Sequence, residues 1–235
     1  MKRVLALVGA RVAGDLLVAH ASGLVLLALI LSAEAADLTP AQLWDLWVDR
    51  IPSLWAQASP MLTVAGTSLG LLRMRRDGIV LALGTFGVTP RVCLGVGAAL
   101  GLVVGLAAAG FAGHRVTPHG ADWVRAEGGW YRDGVAVPDE VGGEVHTIPS
   151  PPRPVWTPAL TGGAAGLAGA ALGLWTAGLA TVITAVVVLV GNTLAQGLVA
   201  RAALPPAAAW VPTALLVVGT LVGARFAPLF PRRWG

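Results

Sequence analysis

The sequence predicts an all-α polytopic membrane protein with six transmembrane helices, three on each side of a small periplasmic β segment. Hydrophobic residues make up 56% of the 235 residues, charged residues only 12%, and the mean hydropathy is +0.75. Several apolar runs approach the roughly 20 residues that a helix needs to cross a bilayer. Basic residues flank these runs rather than forming one stripe, so we read the net charge of +4 as a topology signal and not as a nucleic-acid surface.

Six apolar runs are candidate spans, at about residues 13–31, 58–73, 92–112, 157–175, 178–198 and 207–227. They divide the chain into a first transmembrane half (1–113), a β segment (114–156) and a second transmembrane half (157–235). Only "GLWTAGLAT" separates the fourth run from the fifth, so one long kinked helix there would leave five spans. The first run resembles a signal peptide, but Arg11, Asp15 and His20 interrupt its apolar core. We therefore expect a retained first span after an amphipathic N-terminal segment.

The distribution of basic residues predicts that both termini are cytoplasmic. The residues placed on that side are Lys2, Arg3, Arg11, Arg73, Arg75, Arg76, Arg91, Arg232 and Arg233. Asp15 and His20 would then lie near or within the first span, where an ionisable group is a functional candidate unless Asp15 lies at the inner interface.

Two outer segments follow from this orientation. Between the first two spans, Trp44, Trp47 and Trp55 suit a helix at the outer headgroup level, and Pro52 and Pro60 are expected to turn the chain back into the bilayer. The segment 114–156 contains "WVRAEGGWYRDGVAVP", whose alternating bulky and polar residues predict a β-hairpin.

Glycines recur at helical spacing in the third and fourth predicted spans. The positions are Gly97, Gly101 and Gly105, and then Gly162, Gly166, Gly169 and Gly173. Faces of small residues let helix backbones approach closely. We expect them to pack inside the helix bundle, and dimerisation through the same faces is the alternative.

The stretch "RMRRDGIVLALGTFGVTP" interrupts the apolar sequence with a basic cluster and a short apolar segment. It predicts one short cytoplasmic helix at about 77–88, with Asp77 near its N-terminus and with Gly87 and Pro90 near its end. Topology anchoring alone is one interpretation. The other is a helix that docks into a groove of a partner, with the candidate residues Arg73, Arg75, Arg76, Asp77, Gly78, Leu81, Leu83 and Phe86.

Three blocks of the sequence resemble the lipopolysaccharide-export permease family (LptF/LptG, YjgP/YjgQ-type). They are "LGLLRMRRDGIVLALGTFGVTPR", similar to the family's coupling loop, "LVGNTLAQGLVARAALPPAAAWVPTALLVVGTLVGARF", similar to its last two spans, and "WVRAEGGWYRDG", similar to the start of its outer β-domain. The blocks occur in the family's order. The segment 114–156 is, however, too short for the family's full β-jellyroll.

This resemblance implies a permease subunit of an ABC-type exporter in the bacterial inner membrane that extracts lipopolysaccharide or a related glycolipid. The implied partners are a cytoplasmic ATPase dimer, a second permease subunit, membrane lipid and periplasmic lipid-bridge proteins. ATP and Mg²⁺ would bind the ATPase, and no cofactor is expected in this chain. The alternative is a non-transporting scaffold or assembly subunit derived from such a permease.

Few residues suggest chemistry of their own. No Walker motif, nucleophile elbow or HExxH motif occurs, so we expect no enzymatic activity and no catalytic residue. The four histidines and the single Cys93 match no metal-ligand spacing. Candidates for a polar substrate cavity are the outer-side cations and two amides of the fifth span, namely Arg50, Arg115, Arg201, Asn192 and Gln196.

Overall fold

Helices make up most of the described part of the chain. The computed structural model describes residues 2–35, 38–113, 123–126, 129–132, 135–137, 156–175, 183–188, 190–191, 194–195 and 211–226. The helices are α1 (Lys2–Glu34), α2 (Pro40–Arg76), α3 (Ile79–Thr85), α4 (Pro90–Gly113), α5 (Trp156–Trp175), α6 (helical residues 183–188) and α7 (Val211–Phe226). The strands are β1 (Trp123–Ala126), β2 (Gly129–Arg132) and β3 (Val135–Val137).

Helix α2 is one continuous element, which corrects the prediction that Pro52 and Pro60 turn the chain. Both prolines lie inside this helix of 37 residues. The expected interfacial helix and the predicted second span are therefore parts of one continuous helix. Proline leaves the carbonyl four residues earlier without its helical partner. At Pro60 that carbonyl belongs to Ala56, and the Ser59 hydroxyl donates to it at 3.0 Å. A side-chain hydroxyl thus replaces the missing backbone donor.

Helices α1 and α2 pack antiparallel along much of their length. Gly23 of α1 lies against Leu62 of α2, whereas Gly66 lies against Leu16 and Gly70 against Val12. A Cβ atom on Gly66 would approach the Leu16 Cα to 2.7 Å, which is closer than real contacts. The N-terminal end of α1 therefore lies beside the C-terminal end of α2.

Helices α4 and α5 meet along a seam of glycines. A side chain on Gly101 would collide with the carbonyl of Gly162, and one on Gly97 would approach the carbonyl oxygen of Gly166 to 2.7 Å. Farther along α5, Gly169 and Gly173 face α2 instead of α4. The prediction of internal packing is confirmed, and these faces are covered within the chain rather than free for dimerisation.

The contacts of α5 fix the directions of the main helices. Gly169 lies against Val64 and Gly173 against Ser68, so α5 runs parallel to α2. The start of α1, the end of α2, the start of α4 and the end of α5 consequently share one end of the bundle. We call it the basic end, because exposed arginines lie there, namely Arg3, Arg11, Arg73, Arg76 and Arg91.

The outer faces of the bundle are apolar. Large hydrophobic side chains are exposed along α1, α4, α6 and α7, including Leu17, Val103, Val187 and Leu215. Buried positions, by contrast, include Thr63, Thr67 and Ser68, together with small residues of α5. A soluble protein rarely exposes so much contiguous apolar surface. Such an arrangement suits an apolar solvent around the helices.

Two described helices are long and apolar enough to cross a membrane, over Arg3–Ala33 and Pro90–Gly110. The apolar stretch Val211–Thr220 is shorter. Helix α5 coincides closely with the fourth predicted span, but its composition is dominated by glycine and alanine. The arrangement of six spans stays a prediction, as do the division of the chain into domains and the side of the membrane that each end faces.

The strands form a three-stranded antiparallel sheet in the order β1-β2-β3. Trp123 pairs with Arg132 in the first ladder, and Trp130 pairs with Val137 in the second. The strands lie inside the segment 114–156, where the sequence predicts a hairpin. A periplasmic position for this segment stays a prediction.

Candidate functional site

The candidate site is the connection between α2 and α4, residues 77–89, which we call the elbow. It lies at the basic end of the bundle and contains α3. Two glycines in the left-handed region bound this helix, Gly78 with φ of 71° before it and Gly87 with φ of 76° after it. Only glycine adopts this conformation without a steric penalty. The helix is therefore shorter than the predicted 77–88, since each glycine stops regular helix geometry.

Hydrogen bonds hold both ends of the elbow helix. The Val88 N–H donates to the Leu83 carbonyl at 3.0 Å, and the Gly87 N–H donates to the Gly84 carbonyl at 3.0 Å. This pair of bonds is the Schellman arrangement, which needs glycine at the position of Gly87. At the other end, the Gly78 N–H donates to the Arg75 carbonyl at 3.2 Å. The elbow is thus a hydrogen-bonded unit continuous with α2.

The three apolar residues chosen from the sequence separate into two groups. Leu81 is 63% exposed and Phe86 is 81% exposed, whereas Leu83 is only 7% exposed. Leu83 belongs to a buried cluster with Val8 and Val12 of α1, Leu71 and Met74 of α2, Cys93 of α4, and Ala170 and Leu174 of α5. The prediction that Leu83 is available to a partner is wrong, because this side chain is buried in a cluster that includes residues of four helices.

The arginines before the elbow also have different roles. Arg73 forms an ion pair with Asp15 of α1, and Arg75 donates from Nη1 to the Leu174 carbonyl at 3.1 Å. Leu174 lies in the last turn of α5, whose carbonyls have no partner inside their own helix. Arg76 is exposed. The cluster therefore ties α2 to α1 and α5 through two side chains.

Asp77 takes part in the end of α2 rather than in the first turn of α3. Its backbone N–H donates to the Arg73 carbonyl at 2.8 Å, and its side chain is exposed. Helix α3 begins two residues later, at Ile79, and has no acidic residue in its first turn. The interaction of the carboxylate with the α3 dipole is weaker than the sequence prediction assumed, since this effect declines beyond the first turn.

A second polar feature joins α1 to α2 farther from the basic end. The Trp55 Nε1–H donates to His20 Nδ1 at 3.0 Å, and His20 Nε2 lies 3.3 Å from the Thr63 hydroxyl oxygen. The His20 and Trp55 rings meet edge to face, with centroids 5.6 Å apart. Sequence reasoning singled out His20 and placed Trp55 at the membrane surface but missed Thr63. No local pattern links residues this far apart in the chain.

The substrate-cavity candidates are not brought together among the residues that the structure describes. Arg50 is exposed on α2. Arg115, Asn192, Gln196 and Arg201 lie outside the described residues. No group of three or more His, Cys, Asp or Glu side chains within the described ranges could hold a metal ion.

Comparison of the chain with protein-family models, with curated proteins and with solved structures gives no match. A functional assignment therefore depends on the residues and the geometry described above. The elbow is the feature with the most specific geometry, because it combines a rigid attachment with exposed apolar side chains.

Proposed function

We propose that the chain is the permease subunit of an ABC-type exporter that extracts lipopolysaccharide or a related glycolipid from the bacterial inner membrane. The observation that carries the proposal is the elbow. It presents Leu81 and Phe86 to the surroundings, and it buries Leu83 in a cluster that includes α1, α2, α4 and α5. Exposed apolar side chains on a short helix that is anchored in the bundle suit the transmission of movement from a partner protein to the transmembrane helices.

The mechanism follows from how the elbow is attached. Closure of an ATPase dimer would displace the groove that holds Leu81 and Phe86. The Schellman bonds at Gly87 and the burial of Leu83 limit how far the elbow can absorb this displacement by local bending. Leu83 and the adjacent arginine contacts then pass the movement to the helices. Tightly packed cores shift as units rather than deforming continuously.

The energy source and the partners belong to the same proposal. The chain has no Walker motif, so ATP and Mg²⁺ would be bound by a separate cytoplasmic ATPase dimer. A second permease subunit would complete the lipid cavity, and periplasmic lipid-bridge proteins would receive the lipid. This arrangement places the basic end, and with it the N-terminus and the elbow, on the cytoplasmic side.

The decisive experiment replaces the two exposed apolar residues of the elbow. The tagged wild-type chain and the L81E/F86E variant are purified in detergent from the native host, and the ATPase that accompanies each is identified and assayed. We expect the double variant to lose the ATPase and ATP-driven release of lipid. The control is W44E, because Trp44 is 62% exposed and lies near the other end of α2. The W44E variant should retain the ATPase and the ATP-driven release of lipid.

Two outcomes would overturn the proposal. The absence of any ATPase from the purified wild-type complex would remove the energy source. Retention of the complex together with unchanged lipid release in L81E/F86E would favour the non-transporting scaffold.

The T85C variant, in a background in which Cys93 is replaced, tests whether the elbow faces the cytoplasm. In spheroplasts, the cysteine of this variant should react with an impermeant maleimide only after the membrane is opened.

A further inference from the structure

At the basic end, the adjoining faces of α1 and α2 carry three arginines and the carboxylate of Asp15, and the exposed Asp77 follows Arg76 at the end of α2. Arg73 is paired with Asp15 across the two helices. Arg11 precedes Asp15 by four residues and Arg76 follows Arg73 by three, and residues at these spacings share a helix face. Arg11 and Arg76 therefore flank the ion pair, one on each helix.

The antiparallel register places these residues at the same level of the bundle. Gly66 lies against Leu16 and Gly70 against Val12, so residues later in α2 meet residues earlier in α1. Arg11 consequently lies beside the last turn of α2, which contains Arg73 and Arg76. The register brings the three arginine positions to the same level of the bundle, although Arg11 is distant in sequence from the other two.

The local charge is positive, because Arg11, Arg73 and Arg76 outnumber the carboxylates of Asp15 and of Asp77, the exposed residue after Arg76. Asp15 neutralises one of the three arginines, and its side chain is only 14% exposed, so it holds Arg73 in position. Arg11 and Arg76 are exposed and form no ion pair with any residue of the described chain. Two cations are therefore available to an anion from outside the protein.

The surface next to the arginines is apolar. On α1, Val18 is 61% exposed and follows Arg11 by two helical turns on the same face, and on α2 Leu69 is 45% exposed one turn before Arg73. These side chains lie toward the middle of the helices, away from the basic end. Helix α1 is also one of the two that are long and apolar enough to cross a membrane.

We propose that this surface, formed by Arg11, Arg73 and Arg76 with Val18 and Leu69, binds an acidic phospholipid. Guanidinium groups suit a phosphate because they offer paired donors in a planar fork. The lipid chains would lie on the apolar residues that continue along the same faces. This proposal requires that α1 lies in a bilayer, but it does not require that the protein transports lipid. A lipid bound there would brace α1 against α2 beside the elbow.

The experiment measures binding of two lipids with identical acyl chains by native mass spectrometry of the purified full-length protein. The wild type should retain phosphatidylglycerol in preference to phosphatidylcholine. The R11Q/R76Q variant should lose about 30-fold of that preference, because two basic residues that each contribute about 1 kcal/mol near a phosphate together contribute about 2 kcal/mol, and about 1.4 kcal/mol corresponds to a factor of ten. The matched control is R91Q, which replaces an exposed arginine on α4 at the same end of the bundle. This variant should behave as the wild type does.

Further measurements keep the test independent of folding defects. In the wild type, increasing ionic strength should weaken retention of phosphatidylglycerol but not of phosphatidylcholine, because salt screens exposed charges. Equal retention of the two lipids by the wild type would overturn the proposal. An equal loss in R91Q would do the same, since it would show a diffuse charge effect. Inorganic phosphate that raises the unfolding temperature as much as phosphatidylglycerol would indicate a simple anion site and would also overturn it.

Discussion

The indole Nε1–H of Trp55 on α2 donates a hydrogen bond to Nδ1 of His20 on α1, at 3.0 Å. Because Nδ1 accepts this bond, the ring proton is on Nε2, which faces the Thr63 hydroxyl. Both ring nitrogens are thus engaged in a neutral imidazole. Such a bridge fixes the register of α1 on α2 at this level of the bundle.

The first prediction concerns this bridge. The W55F variant keeps an aromatic ring but removes the donor, and it should lower the free energy of unfolding by about 0.5 to 1.5 kcal/mol. Thermal unfolding in detergent micelles measures the change. W44F is the control because Trp44 is exposed and lies outside the bridge. Equal unfolding temperatures for W55F and the wild type would show that the bridge contributes nothing to stability.

The second prediction separates anchoring from exposure in the elbow. L83A should destabilise the protein by about 2 to 5 kcal/mol, because it leaves a cavity among buried residues of four helices. L81A should change stability by no more than about 0.5 kcal/mol, because Leu81 is exposed. Unfolding of both variants by denaturant in micelles tests this difference. Similar losses in the two variants would contradict the burial of Leu83.

The residues of the elbow show what sequence could and could not establish. Gly87 and Pro90 mark the end of the short helix, and the chain turns there as expected, because their backbone preferences act locally. Leu81 and Leu83 are chemically identical and two positions apart, so composition does not distinguish them. Only the packing of α3 on distant helices determines which of them is buried.

The sequence predicted the packing role of the glycines correctly, but it predicted the effect of the prolines in α2 wrongly. A close-packing face needs small residues at regular intervals, and that pattern can be seen directly in α4 and α5. The prolines of α2 suggested a turn because their local effect is to break a helix. The Ser59 hydroxyl and the packing of α2 outweigh this effect. The partner helix of each glycine face could not be read from the sequence.

The third prediction compares two glycines of α4. G101A should destabilise the bundle by about 1 to 3 kcal/mol, because the new Cβ collides with the Gly162 carbonyl and forces α4 and α5 apart. G95A is the control, since nothing lies within 4 Å of the Cβ position there. It should be neutral or stabilising, because alanine favours helix more than glycine does. Thermal unfolding in micelles distinguishes the two, and a neutral G101A would argue against the seam.

The fourth prediction tests how α2 continues through Pro60. The buried Ser59 hydroxyl donates to the Ala56 carbonyl, which Pro60 leaves without a helical donor. S59A should therefore lower the free energy of unfolding by about 1 kcal/mol, the effect of leaving a partly buried acceptor unsatisfied. In a P60A background, residue 60 regains an N–H that bonds to the same carbonyl. The effect of S59A should then nearly disappear.

The wild type and the S59A, P60A and S59A/P60A variants form a double-mutant cycle, in which the coupling between the two sites is measured by thermal unfolding in micelles. S22A serves as the control for loss of an exposed serine hydroxyl from a helix. A positive coupling means that the hydroxyl acts as a substitute donor for the proline. Additive effects would instead mean that Ser59 stabilises α2 for some other reason, and the continuity of the helix at Pro60 would then depend on its packing against α1 and α5.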